Sequence, residues 1–147
     1  VVNLDDFIRT ITSEINGYNH AEMVRVEFRN SIAETITIDA NLLESVVLNL
    51  IENSIVFRGA NDPFVLCIFH READQFVLKV MDNGIGISLD DRDKIFNMFY
   101  RGSERSTGNG LGLFMVKKTI EVLHGTIGIE SELNQFTSVT IKIPLSN

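Results

Sequence analysis

The stretch from Met81 to Lys118, MDNGIGISLDDRDKIFNMFYRGSERSTGNGLGLFMVKK, decides how the rest of the chain is interpreted. It opens on the glycine cluster DNGIGI and closes on a second one, GNGLGL, with about twenty residues of mixed charge between them. A connection of this length is uncommon in a compact domain unless it is functional or disordered. The two glycine clusters therefore mark the place to look for a site.

Helical and strand patterns lie on both sides of this stretch. Apolar spacing, turn residues and a capping aspartate at Asp39 predict helices over residues 4–15, 40–57 and about 110–123. Alternating apolar residues predict strands at 23–31, 35–38, 64–71, 75–82, 126–132 and 136–144. Helices and strands do not alternate simply in this order. We therefore expect an α+β fold, a two-layer α/β sandwich in which a mixed sheet carries helices on one face.

Length and composition exclude several classes of protein. The 147 residues are expected to form a single domain, and their net charge of −7 with no basic stripe argues against nucleic-acid binding. No apolar run approaches the roughly 18 residues of a membrane span, so direct membrane insertion is not expected. Cys67 is the only cysteine, which fits a reducing compartment. The first residue is Val, and we expect a fragment of a longer protein.

Two asparagines on the second predicted helix form the first candidate site. Asn49 and Asn53 are four residues apart, so their side chains project from the same side of the helix. Mg²⁺ takes oxygen ligands and commonly bridges substrate phosphates while keeping several waters. Asn53 can supply one such oxygen, with Asn49 as a water-mediated partner. The alternative is that both are solvated residues on the polar face of the helix.

The two glycine clusters form the second and third candidates. Asp82 ends a strand and can accept a hydrogen bond from an exocyclic amine such as N6 of adenine, while Gly84 and Gly86 permit a tight turn. GNGLGL precedes a helix, where exposed amides and the helix dipole bind phosphate. It lacks the GK[ST] ending of a P-loop. The alternatives are a plain turn for the first cluster and a flexible hinge for the second.

The segment KIFNMFYRG, residues 94–102, places apolar and aromatic residues inside the otherwise polar connection. We expect this part to pack against the domain, leaving Arg101 and Arg105 available for phosphate. The alternative is a short amphipathic helix that completes the core while the arginines stay in solvent.

Together these four pieces resemble the catalytic, ATP-binding domain of a bacterial sensor histidine kinase, in the family shared with DNA gyrase, Hsp90 and MutL. LNLIENSIVF resembles the N box of that family, DNGIGI its G1 box, IFNMFYRG its F box and GNGLGL its G2 box. The resemblance covers nearly the whole chain, and four boxes in order make it specific.

The resemblance implies a Bergerat-type fold, ATP and Mg²⁺ as cofactors, and roles for particular residues. Asn53 would ligate Mg²⁺ and act in catalysis with Arg101 and Arg105, and residues about 88–109 would form an ATP lid. Thr140 matches a threonine near the adenine, and Phe57 an aromatic against the nucleotide. The expected cofactor-binding residues are Asn49, Asn53, Phe57, Asp82, Gly84, Gly86, Ile87, Gly108, Gly110, Leu111, Gly112 and Thr140.

One departure from the family pattern and one contrast between its branches bear on function. Val56 stands where the N box usually has a lysine that touches a phosphate, and Arg58 is a nearby candidate substitute. Asn49 stands where the gyrase and Hsp90 branches carry a carboxylate that activates water. A site without that base suits a kinase whose acceptor comes from elsewhere.

The expected function is transfer of the ATP γ-phosphoryl group to a histidine on a separate helical dimerisation domain, absent from this chain. Such a kinase would be cytoplasmic and act indirectly on a response regulator in two-component signalling. His20, His70 and His124 are expected to be ordinary structural or surface residues. The alternatives are a degenerate nucleotide-binding module that regulates without catalysis and a serine kinase of the anti-sigma-factor type.

Overall fold

The computed structural model describes residues 1–92, 94–96 and 112–145. The helices of these ranges are α1 (Leu4–Ile15), α2 (Ala40–Val56) and α3 (Gly112–Val122), with a 3₁₀ turn at Ala21–Met23. The strands are β1 (Arg25–Asn30), β2 (Phe64–Glu72), β3 (Gln75–Asp82), β4 (Thr126–Glu132) and β5 (Phe136–Pro144). None of these helices is both long enough and apolar enough to cross a membrane.

The strands form one mixed sheet in the order β1-β2-β3-β5-β4. β1 runs parallel to β2, and the other three pairs are antiparallel. A parallel pair needs a crossover connection, which α2 supplies between β1 and β2. The antiparallel pairs need only short turns, such as the one at residues 133–135. The expected mixed sheet with packed helices is confirmed.

The strand expected at residues 35–38 does not form. Ile36 makes a single bridge to Val2, whose backbone nitrogen and oxygen bond to it over 2.7 and 2.9 Å. The pairing cannot extend because α1 begins two residues after Val2, with Asn3 as its N-cap. On the other side, Asp39 already caps α2 three residues after Ile36. Because α1 and α2 begin so close to Val2 and Ile36, only one pair of backbone hydrogen bonds forms between these two segments.

Helix α2 is held at both its start and its inner face. The Asp39 side chain accepts a hydrogen bond from the Leu42 nitrogen over 3.1 Å, as the capping pattern predicts. The inner face packs on the sheet and buries Leu43, Val46, Val47, Leu50, Ile51, Ser54 and Ile55. Ser54 is the one polar member of this face. Because α2 crosses the sheet in a fixed position, its last turn lies beside the end of β3, where Ser54 contacts Asp82.

Candidate functional site

The Asp82 carboxylate ends β3 and accepts hydrogen bonds from three elements. Ser54 Oγ of α2 donates to Oδ2 over 2.7 Å, and the Gly84 nitrogen donates to Oδ1 over 2.8 Å. The backbone of Thr137, opposite Asp82 on β5, donates as well. Burial raises the pKa of the Asp82 carboxyl above its ordinary value, and these three hydrogen bonds oppose the rise. The result is a half-buried acceptor with a fixed orientation at a strand end.

Asn53 lies next to Ser54 on the last turn of α2 and is half-buried. Its amide nitrogen is buried and has no hydrogen-bond partner among the described residues. Buried polar groups are normally paired, so an unpaired one suggests that a ligand completes the site. A half-turn of the amide presents Oδ1 in the same position. The side chain that the sequence selects as a ligand is therefore one of two in the described residues with an unpaired buried nitrogen, the other being Arg92.

The protein ligands available at this site fit a cation that is held mainly by the phosphates of a substrate. No cluster of three or more His, Cys, Asp or Glu side chains that could hold a metal occurs in the described ranges. Mg²⁺ does not need such a cage, because one or two protein oxygens suffice when phosphates and waters supply the remaining ligands. A single amide oxygen from Asn53 is compatible with that arrangement.

Asn49 is oriented differently from Asn53. Its amide nitrogen donates to the carbonyl oxygen of Ser45, one turn back on α2, over 2.8 Å. The described contacts include no hydrogen bond between the two asparagines. Asn49 is half-buried and lies one turn from Asn53, so a water-mediated role remains a prediction.

The DNGIGI segment packs its backbone against two other elements. The Ile85 nitrogen donates to the carbonyl oxygen of Phe57 at the end of α2 over 3.0 Å, and the Asn134 nitrogen donates to the Ile85 oxygen over 2.7 Å. A Cβ at Gly84 would lie 2.5 Å from the Phe57 oxygen. At Gly86, where φ is +72°, it would lie 2.2 Å from the Glu132 oxygen. Both positions require glycine because other backbone segments occupy the space.

Phe57 and Arg58, which were singled out in the sequence, both lie at the end of α2. Phe57 is the C-cap of the helix and is half-buried, with its carbonyl holding the glycine segment. Arg58 donates to the carbonyl of Ile55 over 3.0 Å and approaches the Met23 sulfur at 3.7 Å. These contacts direct the guanidinium toward the end of α2 and the 3₁₀ turn.

Thr137, and not Thr140, is the threonine opposite Asp82. The β3–β5 register pairs Asp82 with Thr137 and places Thr140 opposite Lys79. Because side chains alternate along a strand, residues three apart project from opposite faces of the sheet. Thr140 therefore lies on the face away from Asp82, so the structure does not bring these two predicted site residues together, and the expected contact of Thr140 with adenine remains a prediction. Thr137 lies on the same face as Asp82, and its hydroxyl lies 2.9 Å from that of Ser131.

Serine 131 fixes the segment that follows the first glycine cluster. Its hydroxyl accepts from the Ile87 nitrogen over 2.8 Å, donates to the Phe136 carbonyl, and its own carbonyl accepts from Arg92. Ile87 lines an open cavity of about 640 Å³ between residues 87–92 and the β4–β5 hairpin. The structure thus places Ile87 against the hairpin through its backbone, and its expected contact with a cofactor remains a prediction.

Only the beginning of the expected lid lies within the described residues. The Ser88 hydroxyl donates to the Asp91 carboxylate over 2.9 Å and accepts from the Asp91 nitrogen over 3.3 Å, which holds a turn. Ile95 is buried, and Lys117 of α3 lies over the Phe96 ring at 5.7 Å. This part packs against the domain, as the apolar residues predict. Gly112 begins α3. Arg101, Arg105, Gly108, Gly110 and Leu111 lie outside the described residues.

Three residues of this site were missed in the sequence: Ser54, Thr137 and Ser131. Ser54 carries a usable signal, because it lies three and four residues after Ile51 and Leu50 and so falls on the apolar face of α2. A polar residue on a buried face needs a partner. The two strand residues carry no such signal, since their roles depend on the β3–β5 register for Thr137 and on the β4–β5 register for Ser131.

Comparison with known proteins identifies the family. The profile described as "Histidine kinase-, DNA gyrase B-, and HSP90-like ATPase" matches residues 38–147. The chain belongs to this family. The matched range of this ATPase-family domain includes α2, both glycine clusters of the sequence and the final hairpin.

Individual relatives agree with the family assignment. The ATPase-family domain is 34% identical over 146 residues to Sensor protein RprX of Bacteroides fragilis, covering 94% of this chain and 27% of that protein. It matches full-length ShkA in complex with AMPPNP with a TM-score of 0.86 at 24% identity, over 99% of this chain and 31% of that one. The catalytic domain of histidine kinase ThkA matches with a TM-score of 0.81 at 22% identity, over 97% and 93%. The chain thus spans about a quarter of its sequence relative and nearly all of an isolated kinase catalytic domain.

Proposed function

We propose that this domain binds Mg-ATP and donates the γ-phosphoryl group to a histidine on a separate helical dimerisation domain. The observation that carries the proposal is the pair of neighbours on α2: Asn53 has an unsatisfied buried amide, and Ser54 fixes the Asp82 carboxylate. The proposed acceptor for an adenine amine and the proposed ligand for a phosphate-bound cation are thus linked through neighbouring residues of α2. The likeness to full-length ShkA in complex with AMPPNP supports a nucleotide as the ligand.

The residues near the proposed metal ligand favour transfer to a partner over hydrolysis. Asn49 lies one turn before Asn53 and is an amide, which cannot remove a proton from water. Glu52 is exposed, and its charge adds to the rise in the pKa of Tyr18 that burial of that ring causes, so its carboxylate lies near Tyr18. Phosphoryl transfer needs positioning and charge neutralisation more than covalent chemistry from the protein. In the proposed step the bond from Pγ to the bridging oxygen breaks, a bond to the acceptor nitrogen forms, and ADP leaves.

We further propose that the partner domain belongs to the same parent protein and that a response regulator receives the phosphoryl group from it. The name of the relative RprX, a sensor protein, supports a signalling role. ATP and response regulators are cytoplasmic, so the proposed location is the cytoplasm.

A transfer assay tests the kinase proposal. The chain is incubated with [γ-³²P]ATP alone and with the dimerisation domain of its own parent protein. We expect no label on the chain alone and acid-labile label on the partner domain. ATP binding without transfer would instead support the second candidate, a regulatory nucleotide-binding module, which Val56 at the usual lysine position favours. Label on the chain itself would contradict the expectation that the acceptor lies elsewhere.

The metal role of Asn53 gives a second expected result. We expect Asn53→Ala to bind ATP about 10- to 100-fold more weakly than the wild type in the presence of Mg²⁺ and nearly equally in EDTA, because only the metal contact is lost. Isothermal titration with and without Mg²⁺ measures this difference. Asn41→Ala removes an exposed asparagine at the other end of α2 and serves as the control. An unchanged Mg²⁺ effect in Asn53→Ala would exclude this residue as a ligand.

A further inference from the structure

Ser54 is a buried polar residue in an otherwise apolar helix face, with 7% of its surface exposed. A serine within a helix can bond to the carbonyl oxygen four residues before it. Ser54 instead donates to Asp82 Oδ2, 28 residues away in the sequence and on another element. The hydroxyl therefore connects α2 with the carboxylate at the end of β3.

The Asp82 carboxylate has a limited number of acceptor positions. Two oxygens provide about four lone-pair sites. Gly84 occupies one on Oδ1, Ser54 occupies one on Oδ2, and the Thr137 backbone donates a third bond. About one acceptor position is left for a ligand. Because both oxygens are held, the plane of the carboxylate is fixed, and so is the direction of the remaining lone pair.

Ser54 is the only side chain among these three donors, since Gly84 and Thr137 act through their backbones. No charged side chain of the described residues perturbs Asp82. Its neighbours in α2, β2 and β5 are Ser54, Val65 and Thr137. The orientation of the carboxylate thus depends on one replaceable hydroxyl.

We propose that Ser54 is a positioning residue for nucleobase selection, which holds Asp82 so that its free lone pair accepts from the 6-amino group of adenine. This inference rests on the proposed nucleotide-binding function. A base with a 6-oxo group offers an acceptor at that position, and two acceptors facing each other in a buried site leave both unpaired. Ser54 determines how strictly the two bases are distinguished and does not itself contact the base.

The test compares ATP with ITP, in which a 6-oxo group replaces the 6-amino group. We expect the wild type to prefer ATP. Ser54→Ala should bind ATP about 10-fold more weakly while its affinity for ITP changes by less than about twofold, so that the ATP/ITP ratio falls about 10-fold. Ser54→Cys keeps the size of the side chain but replaces the hydroxyl with a weak donor, and should show the same fall. The cysteine variant also gives the answer if the alanine variant does not fold.

Ser138→Ala is the matched control, because Ser138 is also a buried serine, 5% exposed, but lies opposite Met81 on the other face of the sheet. Its ATP/ITP ratio should equal that of the wild type. An unchanged ratio in both Ser54 variants would overturn the positioning role, and so would an equal loss of affinity for ATP and ITP. Failure of the wild type to bind either nucleotide would instead contradict the proposed function.

Discussion

Replacing Asp82 with Asn is expected to reduce ATP affinity by about 10- to 100-fold while leaving the domain folded and no less stable at neutral pH. The affinity falls because a charged acceptor for the adenine amine is lost, and hydrogen bonds to charged groups contribute about 1.5–3 kcal/mol. Isothermal titration with ATP measures this loss. Asp74→Asn removes the same charge from an exposed side chain in the turn between β2 and β3, at the other end of β3, and should bind ATP like the wild type.

The stability part of this result follows from the raised pKa of Asp82. Burial raises that pKa above its ordinary value, so the folded state holds the proton more tightly than the unfolded state. The resulting stabilisation is complete below the ordinary pKa and is lost as the pH rises through the raised one. At neutral pH the wild type therefore carries the cost of a buried charge, which Asn avoids. Thermal melts from pH 4 to 8 should show a weaker pH dependence for Asp82→Asn, and a melting temperature well below that of the wild type at pH 7 would contradict this account.

Replacing Gly86 with Ala is expected to have the largest effect on stability. The backbone at Gly86 has a positive φ of +72°, and an added Cβ would lie 2.2 Å from the Glu132 carbonyl oxygen. The left-handed conformation alone costs about 1–3 kcal/mol for a residue other than glycine, and the clash adds to it. We expect a loss of at least about 2 kcal/mol, or a melting temperature lower by about 6 °C or more. ATP affinity should fall as well, because the segment that holds Asp82 must shift.

Gly128→Ala provides the matched comparison. Gly128 lies on the edge strand β4, and a Cβ there would meet no atom within 4 Å. Alanine should be neutral or slightly stabilising at this site, since it restricts the unfolded chain. If differential scanning calorimetry gave the same melting temperature for both alanine variants, the close approach of Gly86 to the hairpin would be refuted.

Local sequence patterns predict most of the fold. Period-two alternation and helical spacing give α1, α2 and the five strands because each element buries one face. The strand expected at 35–38 fails for a reason that local pattern does not contain. Its partner Val2 lies directly before a capped helix, so the length of the pairing depends on where α1 begins. Alternation of apolar residues predicts that a segment can pair with a strand, whereas the tertiary structure decides how many of its residues do so.

In the candidate site, too, some residues can be predicted from local sequence and others depend on the tertiary structure. Asn53, Asp82 and the glycines can be selected from sequence because their residue types and order limit the possible roles. Thr137 cannot be distinguished from Thr140 in that manner, since the choice depends on a strand register that pairs residues 55 positions apart, Asp82 with Thr137. Glycine 86 could be selected for its backbone freedom, but the carbonyl that requires it belongs to the β4–β5 hairpin.

The end of α2 has a consequence for how this domain can evolve. Asn53, the proposed cation ligand, Ser54, the proposed positioning residue, and Phe57, whose carbonyl holds the glycine segment, lie within five consecutive residues. Because one helical turn carries all three, a single insertion or deletion upstream in α2 would rotate them together by about 100°. In the proposed site, an insertion or deletion in α2 would therefore alter base preference and metal binding together. Changes in specificity must come from side-chain replacement on this turn, and length variation is confined to the connections between elements.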